Sequence, residues 1–161
     1  MKIVLDKHTV LFDGKLGCYT GDNDKVHLEL IDNYTLSWKR AYPVPFTKEK
    51  VFKDELDLME DEGMISRIFK PSQWAAPSFI IPKQNSTVRF INDFRDLNKM
   101  LKRKPYELPR IQDIMNKRKN YTYCTKIDLS MFFHCLVLDK PSRELCTINT
   151  PFGLYWFNQL P

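Results

Sequence analysis

One carboxylate stands out as a candidate for chemistry. Asp128 closes an aromatic and β-branched run, Tyr121–Ile127, and is followed by Leu129 and a short turn. The run predicts a buried strand, and Cys135–Leu138 predicts a second, shorter one after the turn. A carboxylate at the end of an apolar strand is costly to bury unless it is paired, hydrogen-bonded or bound to a metal. Asp also favours turns and caps in its own right, so a cap and a metal ligand both fit these residues.

The remaining chain must hold that carboxylate in place. With 161 residues, 43% of them hydrophobic and 28% charged, it is long enough for one domain with a core. No apolar run reaches the roughly 20 residues a membrane helix needs, and MKIVLDKHTV is charged too early for a signal peptide. None of the four cysteines forms a C-x-x-C pair, which speaks against zinc; apolar neighbours point to reduced thiols and an intracellular protein. Residues 1–62 hold 9 basic and 13 acidic side chains, a balance of −4, whereas residues 63–161 hold 16 and 7, a balance of +9. Such a surplus is either a solvated face or an attraction for phosphates.

Residues 1–46 predict an irregular lead-in with possible short strands at Lys2–Leu5 and Val26–Ile31 and no Asp-Ser/Thr-Gly protease triplet. The prolines of RAYPVPF, Arg40–Phe46, force an extended path. Thr47 is the expected N-cap of a helix over Lys48–Glu62. Its apolar positions are Val51, Leu56 and Met59, with Phe52 and Leu58 less regular, and Gly63 is the expected stop. The acidic run Glu60–Glu62 sits unfavourably at the helix C-terminus. Ser78–Ile81, between Pro77 and Pro82, and Thr87–Ile91 predict a hairpin turning at Gln84–Ser86. Ile111, Ile114 and Met115 give a helix an apolar face, with Lys117–Lys119 at its end. Glu144–Asn149 and Leu154–Phe157 predict two more strands turning at Thr150–Gly153.

Several of these pieces occur together in one family. IDLSMFFH resembles motif A of reverse transcriptases, especially those of gypsy-type long-terminal-repeat retrotransposons. In that family an Ile-Asp-Leu precedes a turn and an aromatic residue five positions after the Asp, here Phe133. The family has Gly just before that aromatic and Gln two positions after it, where this chain has Phe132 and Cys135. RAYPVPF, WAAP, IIPK, VRF, DFRDLNK, PYELPRIQD and PFGLYWF follow in family-like order across roughly residues 40–161.

The resemblance implies an α+β right-hand polymerase fold, fingers and partial palm only. Residues 1–46 would be a linker from an upstream polyprotein region, and 47–161 the fingers and first part of the palm. It implies an RNA-directed DNA polymerase with two Mg²⁺ ions (Mn²⁺ as a substitute), a template-primer of RNA or DNA, and deoxynucleoside triphosphates. The rest of the palm, a thumb and a ribonuclease H region belong to such a polyprotein. Asp128 would be the catalytic metal ligand, aided by the Leu129 carbonyl. Backbone N–H groups of Met131 and Phe132 would face the triphosphate, and Phe133 would lie under the sugar. Arg89, with Lys83 beside it, would grip the triphosphate; an ordinary exposed strand charge is the plain reading of Arg89. Asp93 and Arg95 would form a bracing ion pair, and Asn98 would sit in a turn. Lys99, Lys102, Arg103 and Lys104 would lie along nucleic-acid phosphates. No aromatic-x-Asp-Asp run occurs in the 161 residues. The alternative is therefore a catalytically inactive remnant that at most binds nucleic acid.

Overall fold

The acidic helix after Pro45 forms, and its end follows from the sequence. In a computed structural model, which describes residues 6–9, 17, 19, 25–83, 88–118, 122–123 and 125–161, helix α1 spans Phe46–Asp61. Its start differs from expectation. Pro45 precedes it, the Lys48 N–H donates to the Pro45 carbonyl at 2.8 Å, and Thr47 lies inside the first turn with no capping bond. Phe52, Leu56 and Met59 are its buried residues, at i, i+4 and i+7. Phe52 thus leads the apolar stripe in place of Val51, and Leu58 is 52% exposed.

Gly63 ends the helix at φ +74°. Its N–H donates to the Glu60 carbonyl and the Met64 N–H to the Met59 carbonyl, both at 2.9 Å. That pair of bonds is a Schellman motif, with buried Met59 and Met64 as its apolar contact. Glu60 also finds a use at this unfavourable end: its Oε1 accepts from the Arg67 N–H at 3.0 Å.

Among the described residues, five strands make one sheet in the order β1-β5-β4-β2-β3. They are β1 Ile65–Ile68, β2 Ala76–Pro82, β3 Val88–Asn92, β4 Thr147–Thr150 and β5 Gly153–Phe157. All neighbours are antiparallel except β2 and β4. β2 is the joint. Ala76 and Pro77 pair with Ile148 and Asn149 of β4, while Ser78 to Pro82 pair with β3. The expected hairpin therefore exists, longer by Pro82, while Pro77 pairs with β4; its turn, Gln84–Ser86, lies outside the described residues. At its base the Ser78 hydroxyl donates to Asn92 Oδ1 at 2.8 Å. β1 was not expected.

Three shorter helices follow: α2 Arg95–Met100, α3 Ile111–Lys117 and α4 Lys140–Leu145. Asn98 is helical rather than in a turn. α4 replaces the first half of the strand expected over Glu144–Asn149. Asp139 caps it by accepting from the Ser142 N–H at 3.0 Å, and Pro141 occupies its first turn. The core gathers Phe52, Leu56, Trp74, Leu97, Leu138, Ile148, Tyr155 and Phe157. Cys146 is buried there, and burial pushes its thiol up to about 12, which leaves it unreactive.

The lead-in lies against this core in extended form. The strand expected at Val26–Ile31 is reduced to single bridges, Val26 with Leu138 and Leu30 with Leu101, while Trp38 bridges Ala75. Lys2–Leu5 lies outside the described residues.

Among its described residues, the strand expected to carry Asp128 does not form. Tyr121 and Cys124 lie outside the described residues; residues 122–123 and 125–129 have no regular structure. They pair with none of the five strands, and an extended segment with no ladder partner leaves its N–H and C=O groups to solvent. Tyr123 is 92% exposed and Ile127 81%. The second expected strand is also reshaped. A 3₁₀ turn, Phe132–Cys135, takes its first residue, and Val137 and Leu138 make single bridges. α3 forms, but none of its apolar face is buried.

Candidate functional site

The edge strand β3 forms one wall of a cleft of about 730 Å³. Arg89 projects from β3 opposite Ile81 of β2, and Lys83 follows the end of β2. Both side chains are exposed and line this cleft, and neither forms an ion pair among the described residues. Met131 reaches the same cleft from a sequence position 42 residues beyond Arg89. Glu55 and Met59 of α1 form the opposite wall. Two cations free of ion pairs among the described residues line a cleft whose other walls mix apolar side chains with Glu55, Asn92, Asn98 and His134, and they offer an anionic group two charged donors.

Met131 arrives there by a tight turn. Its φ is +51°, unusual for a side chain other than glycine, and its carbonyl accepts from the His134 N–H at 3.0 Å to open the 3₁₀ turn. Phe132 and Phe133 follow, with rings 6.3 Å apart. Phe133 is 62% exposed and lines a smaller neighbouring cavity of about 240 Å³, walled also by Phe94, Asn98 and Pro161. Those three residues line the Arg89 cleft as well, so the two spaces adjoin. Asp128, Leu129 and Phe132 line neither space; all three are exposed. The structure thus brings Lys83, Arg89 and Met131 to one cleft and Phe133 to the adjoining space, while Asp128 lines neither.

Sequence reasoning missed His134. It is half-buried in the Arg89 cleft, and its Nδ1 has no hydrogen-bond partner among the described residues. The available signal was a titratable side chain in the turn between Asp128 and the apolar run Cys135–Leu138.

The basic run divides. Lys99, in the last turn of α2, lies 3.8 Å from Asp96. Lys102 and Lys104 both approach Glu29, whereas Arg103 is exposed with no ion pair among the described residues.

Asp93 and Arg95 form the expected ion pair. Arg95 Nε donates to Asp93 Oδ1 at 2.8 Å and Nη2 to Oδ2 at 2.7 Å, a two-pronged fork. The fork holds the Asp93 carboxyl down to about 2 from its ordinary 3.8. A depressed carboxyl adds stability above its unfolded pKa and loses it as pH falls through the folded one. The unfolding temperature of the chain should therefore exceed that of Asp93→Asn at pH 6, and the gap should close between about pH 4 and pH 2. A gap that stays constant across that window would show the fork contributes nothing through charge.

Residues 81–160 match the family model described as reverse transcriptase (RNA-dependent DNA polymerase). The chain belongs to the reverse-transcriptase family. Its relatives include the Tf2-3 and Tf2-4 transposon polyproteins of Schizosaccharomyces pombe, each 30% identical over 132 residues, covering 81% of this chain and 10% of the polyprotein. The chain thus spans about a tenth of the length of the curated relatives it matches. Among solved structures, a prototype foamy virus protease-reverse transcriptase (CSH mutant) superposes with a TM-score of 0.80 at 18% identity, over 99% of this chain and 21% of that one. The fold is accordingly part of a reverse-transcriptase fold.

A reverse transcriptase implies divalent metal ions, and the donor set can be tested against that. Asp128 offers one exposed carboxylate, and no group of three or more His, Cys, Asp or Glu among the described residues is placed to hold a metal. Mg²⁺ takes six oxygens, several from carboxylates, phosphates and water. The described residues of this reverse-transcriptase chain do not fit a two-ion site by themselves. Among the described residues, no helix is long and apolar enough to cross a membrane.

Proposed function

We propose that this chain is the nucleotide-receiving part of an RNA-directed DNA polymerase belonging to a retrotransposon polyprotein. The observation that carries the reading is the shared cleft of Lys83, Arg89 and Met131. In this reading residues 47–161 are the fingers and first part of the palm. Arg89 and Lys83 take the triphosphate of a deoxynucleotide, the turn at Met131 and Phe132 presents backbone N–H groups to it, and Phe133 lies beneath the sugar. Asp128 is one of several carboxylates for two Mg²⁺ ions, the others coming from polyprotein regions outside this sequence. Lys99, Lys102, Arg103 and Lys104 lie along the template-primer, an RNA or DNA strand, through phosphate contacts that carry no sequence preference.

The test is titration of the chain with a deoxynucleoside triphosphate. A charge-assisted hydrogen bond contributes about 1.5–3 kcal/mol. Arg89→Ala should therefore weaken binding by roughly ten- to a hundredfold, with Lys83→Ala weaker in effect. Arg103→Ala removes the same charge outside the cleft and should leave binding unchanged. Equal loss in Arg89→Ala and Arg103→Ala would reduce Arg89 to an ordinary strand charge.

A further inference from the structure

Residues 29–31 run antiparallel to residues 100–102. The Lys102 N–H donates to the Glu29 carbonyl at 2.8 Å, the Ile31 N–H to the Met100 carbonyl at 2.9 Å, and Leu30 and Leu101 are bridge partners between them. Opposed residues in such a pair share a face, and side chains alternate faces along each segment. Glu29 therefore stands beside Lys102. Lys104, two residues on, returns to the same face, and Arg103 does not. The contacts agree: Lys104 Nζ lies 2.6 Å from Glu29 Oε1, and Lys102 Nζ lies 4.0 Å from Oε2. One carboxylate is divided between two ammonium groups.

We propose that Glu29 occupies a phosphate site built by Lys102 and Lys104, and that single-stranded nucleic acid binds there by displacing it. The proposal rests on the reading of the basic run as a nucleic-acid surface. Its geometry suits exchange. The two lysines are 65% and 73% exposed, and exposed ion pairs are weak and screened by salt. A strand offering two phosphates brings twice the charge of one carboxylate. The lead-in need not detach for this. Leu28 and Leu30 pack against the core, and the backbone bonds of Glu29 and Ile31 are independent of the Glu29 carboxylate. The hydrogen bond from Lys104 holds the Glu29 carboxyl below its usual range, and a carboxylate is in any case ionised, and able to compete, at neutral pH.

The experiment follows a labelled single-stranded RNA oligonucleotide by fluorescence anisotropy across a salt series. Glu29→Gln should bind about two- to fivefold tighter at low salt. Its log–log salt slope should stay close to the parent's, because the same two phosphates are neutralised in both, whereas removing both lysines should flatten the slope by ~1.4. Glu62→Gln removes the same charge from the exposed end of α1 and should leave both quantities near the parent values. With Lys102→Ala and Lys104→Ala combined, binding should weaken and Glu29→Gln should add nothing. If the lysine pair matters and Glu29→Gln behaves as Glu62→Gln does, the proposal is overturned while the basic run keeps its role. If neither the lysines nor Glu29 changes binding, the basic run is not the nucleic-acid surface, and both readings fall.

Discussion

The purified 161-residue chain is expected to extend no primer on an RNA template, in Mg²⁺ or in Mn²⁺, and to match its Asp128→Asn variant at background. Charge decides this. Asp128 brings one negative charge and two oxygens, whereas two divalent ions bring four positive charges. Hard cations of this kind are held by several carboxylates together with substrate phosphates. The sequence has no aromatic-x-Asp-Asp run to add a pair. No cluster of acidic side chains among the described residues substitutes for one. Position argues the same way. Asp128 lies outside the cleft that gathers Lys83 and Arg89, on a segment that pairs with no strand. Reactive groups must be held close and in line before a barrier falls appreciably. Extension by the parent chain that Asp128→Asn abolishes would refute the expectation and would mean that a second molecule supplies the missing carboxylates. Retained triphosphate binding in the inactive chain would separate the receiving cleft from the chemistry.

The sequence was most legible where local rules and burial agree. α1 follows from its stripe, and Gly63 from the need for a left-handed residue at the helix end. The β2–β3 hairpin was legible because two β-rich runs flank a short polar turn. The bidentate fork of Asp93 and Arg95 also matched expectation. α4 was missed although its signals were present: Asp139 as cap and Pro141 in the first turn outweigh the β-rich residues that follow. The run before Asp128 failed for the opposite reason. Its composition is that of a strand, but strand formation depends on a partner, and no part of the described sheet supplies one. The contact of Glu29 with Lys104 could not be read at all, because 75 residues separate them and only the bridge of Leu30 with Leu101 sets their register.

Phe52→Ala should be the most damaging single core substitution in α1, and its effect should reach the cleft. Phe52 is fully buried, with its ring 5.3 Å from that of Phe90 and 5.6 Å from that of Phe152. Phe90 is the neighbour of Arg89 on β3, and Phe152 sits in the turn between β4 and β5. One side chain therefore ties the helix to both halves of the sheet. Truncating a buried Phe costs about 3–5 kcal/mol through lost transfer energy and the cavity left behind. Domains are stable by only about 5–15 kcal/mol, so the variant should be marginal at room temperature. Leu58→Ala lies on the same helix but at a half-exposed position, and should cost within about 0.5 kcal/mol. Urea denaturation followed by circular dichroism gives both values. The same loss should loosen β3 against α1, whose Glu55 and Met59 form the far wall of the cleft, and so weaken triphosphate binding before global unfolding. Equal urea midpoints for the two variants would show that α1 is not fastened to the sheet through Phe52.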